Sequence, residues 1–270
     1  IRKEITTMKN LTYIFAVILI TLTSIVTRAE NLIVSNSFDW NSIKLDQQNL
    51  SISKKLVDAS SDGFKSINIS LINIATGDNF VIGNNDSGME SLAIIKSGDT
   101  VQQSGLVTKD MGPGSVSLIM PHDKVTISNS GKAVVTLYLL VWDTRGAKTN
   151  ESKSIQNPPK SLLVNWNDIE FVENPRGGRR NIIRQPTAML REFEMHVTTL
   201  NEGMRSHLPH THIDEEIILV RHGEVEEYID GKLHEVGAGS FIFLRSMIPH
   251  GIRNIGQGDA EYYAFKWAPK

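Results

Sequence analysis

The fold class predicted by the 270-residue sequence is all-β: two small β-barrels or sandwiches in tandem behind an export leader. Three observations carry this. One internal offset is held across both halves of the chain. Short β-branched and aromatic runs recur between turn residues. Helical periodicity is absent once the first apolar segment has passed.

The leader comes first. Ile1 to Thr7 precede the first methionine and read as upstream translated sequence. Lys9 supplies a positive n-region, Leu11 to Val26 is a largely apolar run, and Thr27-Arg28-Ala29 places small residues at −3 and −1 of a cleavage point before Glu30. The apolar run has 16 residues, short of the roughly 20 that a membrane span requires. The reading is therefore a cleaved secretory signal, residues 1–29, with no stable membrane span afterwards and a periplasmic or secreted destination. Removing it leaves 24 basic and 29 acidic residues.

The two halves follow. Trp40-Asn41 recurs as Trp166-Asn167 and Gly77 as Gly203, both offset by 126. From there the offset is 125: Gly98 and Gly223, Gly112 and Gly237, Gly114-Ser115 and Gly239-Ser240, Asn129 and Asn254, Gly131 and Gly256, Tyr138 and Tyr263, Trp142 and Trp267. Generic turn spacing would repeat glycines but would not preserve the aromatic pairs. Phe193 to Leu200, Ile217 to Val220, Phe241 to Leu244 and Tyr262 to Trp267 read as strands. Asp230-Gly231 reads as a hairpin turn, since glycine accepts the positive φ such turns need. Asp143 to Lys160 is polar and carries Pro158-Pro159, as a linker would. The expected domains are an upstream barrel over 30–145, a linker over 146–163 and a downstream barrel over 164–270.

Composition narrows the chemistry. There is no cysteine, which excludes disulfides, thiolate metal sites and thiol nucleophiles. The net charge of −2 comes without a clustered cationic excess, so a nucleic-acid partner has no electrostatic footprint. No Gly-rich loop runs into Lys-Ser/Thr. Any metal must be held by nitrogen and oxygen.

Seven of the eight histidines lie between His196 and His250. His210 and His212 are two apart and would leave one face of a strand, with Glu216 at the same parity. His250 lies beyond the Gly239 turn and can close the set from another strand. Three imidazoles and a carboxylate suit a divalent first-row metal with open positions. Ligation needs neutral imidazole, so occupancy should fall in acid.

These residues resemble the cupin motifs. Gly203, six residues, His210-Thr211-His212, three residues, Glu216, six residues and Gly223 match the first motif, with the opening glycine one residue further out. Gly239, His250 and Asn254 resemble the second, with Arg245 where the family has proline and Met247 where it has glycine. The resemblance covers residues about 190–267 and, through the repeat, about 65–142. It implies a bicupin: two antiparallel jelly-roll barrels of about six to eight strands each. It also implies one manganese, iron, nickel, zinc, cobalt or copper ion, and self-association as a homodimer.

The upstream half lacks the ligand set. Asn84 or Asn85 corresponds to His210, Asp86 or Ser87 to His212, Glu90 or Ser91 to Glu216, and Val125 to His250. An aliphatic side chain cannot ligate, so that barrel is expected to be metal-free; a weak Asp86–Glu90 site is the alternative. Around the downstream set, Glu215 points away from Glu216 and is expected in solvent or an outer position. His207 reads as exposed loop, His196 as core or rim, and His222 and His234 as surface. Arg179, in the basic run Arg176 to Arg184, is a candidate to hold a substrate carboxylate or phosphate, as are Arg245 and Arg253 beside His250.

Function must be argued from the site. Three readings stand: a metal-dependent isomerase, lyase or hydrolase acting on a small oxygen-rich carboxylate or sugar-derived molecule; an iron-dependent dioxygenase; and a non-catalytic metal- or sugar-binding module. The residues do not identify a general base.

Overall fold

A computed structural model describes residues 31–42, 54–83, 88–145 and 159–269. The leader, most of the linker, and the 84–87 positions set against His210 and His212 lie outside the described residues.

The chain is built almost entirely of antiparallel strands. The upstream half holds β1 (Asn36–Phe38), β2 (Lys54–Ala59), β3 (Phe64–Ile74), β4 (Asn79–Gly83), β5 (Glu90–Ser97), β6 (Thr100–Ser104), β7 (Val107–Met111), β8 (Val116–Ile119), β9 (Lys124–Asn129) and β10 (Val135–Thr144). Then come β11 (Leu162–Val164), β12 (Val172–Asn174), β13 (Gly177–Gln185), β14 (Leu190–Leu200), β15 (Glu215–His222), β16 (Glu224–Ile229), β17 (Lys232–Gly237), β18 (Phe241–Leu244), β19 (His250–Asn254) and β20 (Ala260–Pro269).

They form four sheets, two to each half. A six-stranded sheet, β11-β8-β5-β10-β3-β2, faces the four-stranded β4-β9-β6-β7; a seven-stranded sheet, β1-β18-β15-β20-β14-β13-β12, faces the three-stranded β17-β16-β19. Alternation dictates the packing, because successive side chains on a strand point to opposite faces. In the upstream half Ile72, Ile95, Val125, Ile127 and Leu137 meet inside one sandwich. In the downstream half Ile218, Val225, Ile229, Ile242 and Ile252 meet inside the other. The outer faces of the two large sheets bury Phe64, Trp142, Phe193, Phe243 and Trp267 against each other in a third core.

The repeat proves to be the code for this junction. β1 pairs with β18 of the downstream half, and β11 with β8 of the upstream half. A 3-10 turn follows each: Trp40 covers Gly239, and Trp166 covers Gly114. Both glycines sit at φ +94°, and a Cβ on either would lie 2.7 Å from the indole ring. The Tyr138 hydroxyl donates to the Gly239 carbonyl at 2.7 Å, and that of Tyr263 to the Gly114 carbonyl at 3.0 Å. Each half thus reaches across with its leading strand. β1 lies within the 30–145 stretch and Leu162–Leu163 within the 146–163 stretch, yet each pairs with a strand of the opposite half.

Glu215 belongs to the same device, which corrects the solvent or outer position expected for it. It is 3% exposed. It accepts from Ser61 Oγ (2.7 Å), Gly63 N (2.9 Å), Asp62 N (3.0 Å) and Trp267 Nε1 (3.2 Å). Glu90, its counterpart at offset 125, accepts from Thr187 Oγ1, Met189 N and Trp142 Nε1. Glu90 therefore turns toward the other half and does not face the upstream interior, so an upstream metal site drawing on its carboxylate has no geometric basis.

Candidate metal centre

His210 and His212 do not lie on a strand, as the spacing suggested. Gly203 and Pro209 break the segment between β14 and β15, and proline removes a donor from any ladder. The loop is held instead by single bridges, Arg205 to Arg253 and His210 to His250. The His210 and His250 backbones exchange N–H···O bonds of 3.0 Å in both directions. On the other side the Met247 N–H donates to the His212 carbonyl at 2.8 Å. Met247 takes φ 62°, a conformation that favours glycine. The turn before His250 therefore keeps a glycine-type shape although methionine occupies it.

This scaffold brings the four sequence candidates together. The ligating atoms of His210, His212 and His250 lie within 4.8 Å of one another, an arrangement that can hold a metal ion. Glu216, on the inward face of β15, puts Oε2 3.0 Å from His212 Nε2 and 3.5 Å from His250 Nε2. The ring orientations are set by the backbone. His212 Nδ1 donates to the Asp214 carbonyl and His250 Nδ1 to the Ile248 carbonyl, each at 2.8 Å. Those bonds aim both Nε2 atoms at the shared centre, as an acceptor behind a ligating imidazole does. His250 Nε2 is buried and has no hydrogen-bond partner among the described residues. An orphaned imidazole nitrogen beside a carboxylate and two further imidazoles fits a first-row divalent ion.

Electrostatics agree. Burial raises the Glu216 carboxyl, but the His212 hydrogen bond and the adjacent His250 outweigh it and hold the group down at about 2. His212 is raised chiefly by its bond to Glu216. His210 is lowered by burial and by the neighbouring His207, His250 and His212 rings, which favours its neutral form. With Nδ1 donating, the proton shared between His212 Nε2 and Glu216 is the one a cation would displace.

The centre opens into a cavity of about 260 Å³. Arg176, Arg179 and Lys266 bring positive charge to its lining. Arg179 Nη2 lies 2.9 Å and Lys266 Nζ 3.7 Å from Glu194, which ties both cations to one carboxylate. His196, expected as core or rim, is in the cavity lining. Burial and the Arg179 charge lower it to about 4, so it is neutral near pH 7. His207 is exposed, as expected, with its ring 4.0 Å from that of His210.

The other two candidate arginines go elsewhere. Arg245 makes a two-point ion pair with Asp62, at 2.7 and 3.0 Å, beside the loop that docks onto Glu215. Arg253 is an outward residue of β19 and pairs with Glu226 at 3.0 Å. Neither lines the cavity. His234 also departs from its surface reading: it is half-buried, and its Nδ1 lies 3.0 Å from Ser37 Oγ. Sequence reasoning missed Lys266, Tyr262 and Glu227, all in the cavity lining. Glu227 was legible in principle, since it shares the parity of Val225 and Ile229, the inward residues of β16.

Fold and site together define a double β-sandwich protein with a histidine–carboxylate centre inside its downstream half. Residues 196–266 match the family model for the cupin domain, so the downstream half carries a cupin domain. No curated protein matches it. Among solved structures it is similar to a putative glyoxylate-induced protein from Pseudomonas aeruginosa, with 15% identity and a TM-score of 0.64, over 81% of this chain and 80% of that one. It is also similar to oxalate decarboxylase from Lactobacillus farciminis, with 10% identity and a TM-score of 0.64, over 88% of each chain. A cupin 2 conserved barrel domain protein from Leptotrichia buccalis aligns at 14% identity and a TM-score of 0.54, over 86% of this chain and 96% of that one. At these identities the likeness is one of fold.

Proposed function

We propose that the chain is an exported bicupin metalloenzyme of the isomerase, lyase or hydrolase type. Its substrate is a small oxygen-rich carboxylate or sugar-derived molecule bound in the downstream cavity. The observation that carries this reading is the convergence of His210, His212, Glu216 and His250 at a cavity that also presents Arg179 and Lys266. Those four residues would hold a divalent ion, which would supply Lewis-acid polarisation of a substrate oxygen. The chain supplies the rest. Arg179 orients a substrate carboxylate, since a guanidinium matches it at two points, and Lys266 adds a point charge. His196, neutral at pH 7, offers a hydrogen bond from the wall. The aliphatic residues around Ile218 and Ile252 exclude water from the inner end. The named oxalate decarboxylase, a relative in fold, acts by its name on a small dicarboxylate, which is consistent with this substrate class.

The test is elemental analysis of the full chain purified without added metal, repeated on His210→Ala. About one metal per chain, lost in the variant, supports the reading; no metal refutes it. Anaerobic turnover with manganese or nickel selects this class, whereas oxygen uptake dependent on ferrous iron selects a dioxygenase. Export is tested by N-terminal sequencing of the secreted protein, with Glu30 expected first, and the proposed homodimer by sedimentation. Among the described residues no helix is long and apolar enough to cross a membrane.

A further inference from the structure

Glu227 is the middle inward residue of β16 and has no exposed surface. Neither carboxylate oxygen has a hydrogen-bond partner among the described residues. It lines the same cavity as the four histidine–carboxylate residues. Burial, with the Glu216 charge second, pushes its carboxyl well above the ordinary range; the Gly251 N–H, nearby but without hydrogen-bond geometry to either oxygen, opposes the shift. A buried acid without partners is costly, and such groups call for an explanation.

The internal repeat supplies the comparison. Gln102 occupies the same place in the upstream half: it lies opposite Ile127 on β9, as Glu227 lies opposite Ile252 on β19. Gln102 is equally buried but satisfied. Its Oε1 accepts from Ser117 Oγ at 2.6 Å, and its Nε2 donates to Thr100 Oγ1 at 3.4 Å. The downstream counterparts of Ser117 and Thr100 are Ile242 and Val225, both buried hydrocarbon. The half with the candidate metal centre thus carries a polar side chain at this place but hydrocarbon where the upstream half has the two groups that satisfy it. Within its own half, Glu227 therefore has no partner of the kind that gives Gln102 a structural role.

We infer that Glu227 is a substrate-contacting residue, accepting a hydrogen bond from a hydroxyl of the bound molecule. The substrate class is then a hydroxy acid, its carboxylate toward Arg179 and Lys266 and its hydroxyl toward Glu227. This deepens the proposed function and rests on it. A site built to bond a hydroxyl rejects the analogue lacking it, because the buried acid is then left unpaired.

The test uses the full chain with manganese added and calorimetric titration of glycerate, gluconate and propionate. Wild type is expected to bind glycerate or gluconate at least tenfold more tightly than propionate. Glu227→Leu should lose about tenfold or more in affinity for the hydroxy acids while changing less than twofold for propionate. Glu227→Gln keeps an acceptor oxygen and should retain most of the affinity. In chelator, Glu227→Leu should raise Tm by about 2–4 °C, because removing an unsatisfied buried group stabilises the fold. A fall in Tm, failure of the variant to fold, unchanged hydroxy-acid binding, or no wild-type preference for the hydroxy acids each overturns the inference. Metal content of the same wild-type sample separates the two failures: bound metal without these effects refutes the role of Glu227 alone, and absence of metal refutes the reading beneath it.

Discussion

Replacing Glu215 by alanine should weaken the junction between the halves while sparing the candidate metal centre one residue away. Glu215 and Glu216 are adjacent on β15 and face opposite sides. Alanine at 215 strips the acceptor from four donors: Ser61 Oγ, Gly63 N, Asp62 N and Trp267 Nε1. Asp62 is exposed and its N–H can turn to water, whereas Ser61 is 0% and Trp267 2% exposed. Three donors are then left buried and unpaired, at about 1–3 kcal/mol each. With the Ser61 hydroxyl free to rotate, the two remaining donors make the loss about 2–6 kcal/mol, a large share of the 5–15 kcal/mol typical of a folded protein. For a chain of this size that lowers Tm by about 4 °C or more. Differential scanning calorimetry of the full chain in chelator measures it. Glu216→Ala removes the carboxylate that faces His212 at 3.0 Å and His250 at 3.5 Å, so it should also lower Tm in chelator, but unlike Glu215→Ala it should abolish stoichiometric metal. Glu215→Ala, assayed in the cold where it remains folded, should keep its metal. Glu215→Ala within 2 °C of the parent, or metal lost equally from both variants, would refute the division of labour between the two faces.

Further outcomes follow from the same geometry. Glu216 is held below its ordinary 4.5 and His212 above its ordinary 6.5. The first stabilisation is present above about pH 4.5 and lost as pH falls toward 2. The second is present below about pH 6.5 and lost as pH rises through the folded value of His212. The metal-free pair should therefore stabilise most between those limits, while the Tm increment on adding manganese should grow from pH 5.5 to 7.5; an increment that shrinks over that range would contradict proton displacement. Met247→Gly should raise stability by up to about 1 kcal/mol in urea unfolding, because it relieves a left-handed side-chain conformation. Asn254→Ala should cost about 2–3 kcal/mol in the same assay, since its amide donates to the Leu200 and Gly258 carbonyls and accepts from the Gly256 N–H. Gly239→Ala should displace Trp40, which near-ultraviolet circular dichroism would report as loss of the Trp40 signal.

Local rules alone determined much of this protein. The alternation of apolar residues specified strands. Asp230-Gly231 specified a hairpin with positive φ at both positions, 45° and 87°. The spacing of His210, His212 and Glu216 pointed to the candidate centre because few other arrangements use those residue types at those intervals, and the structure brings the three side chains together. Parity alone placed Glu215 and Glu216 on opposite faces. What parity could not say was what each face meets, since that depends on residues 152 to 154 positions away. The aromatic pairs were visible as a repeat, yet their purpose, to let each half cap the other, appears only when the halves are brought together. Arg179, Arg245 and Arg253 looked equivalent in sequence, and the tertiary structure sent only Arg179 to the cavity while Asp62 and Glu226 claimed the others. Glu227 was one of three acids in a four-residue run; only the hydrocarbon of Ile242 and Val225, at the places of Ser117 and Thr100, makes it an orphan. Sequence periodicity encodes the direction of a side chain, whereas its partners are contributed by distant segments, and hydrogen bonding, burial and charge depend on those partners.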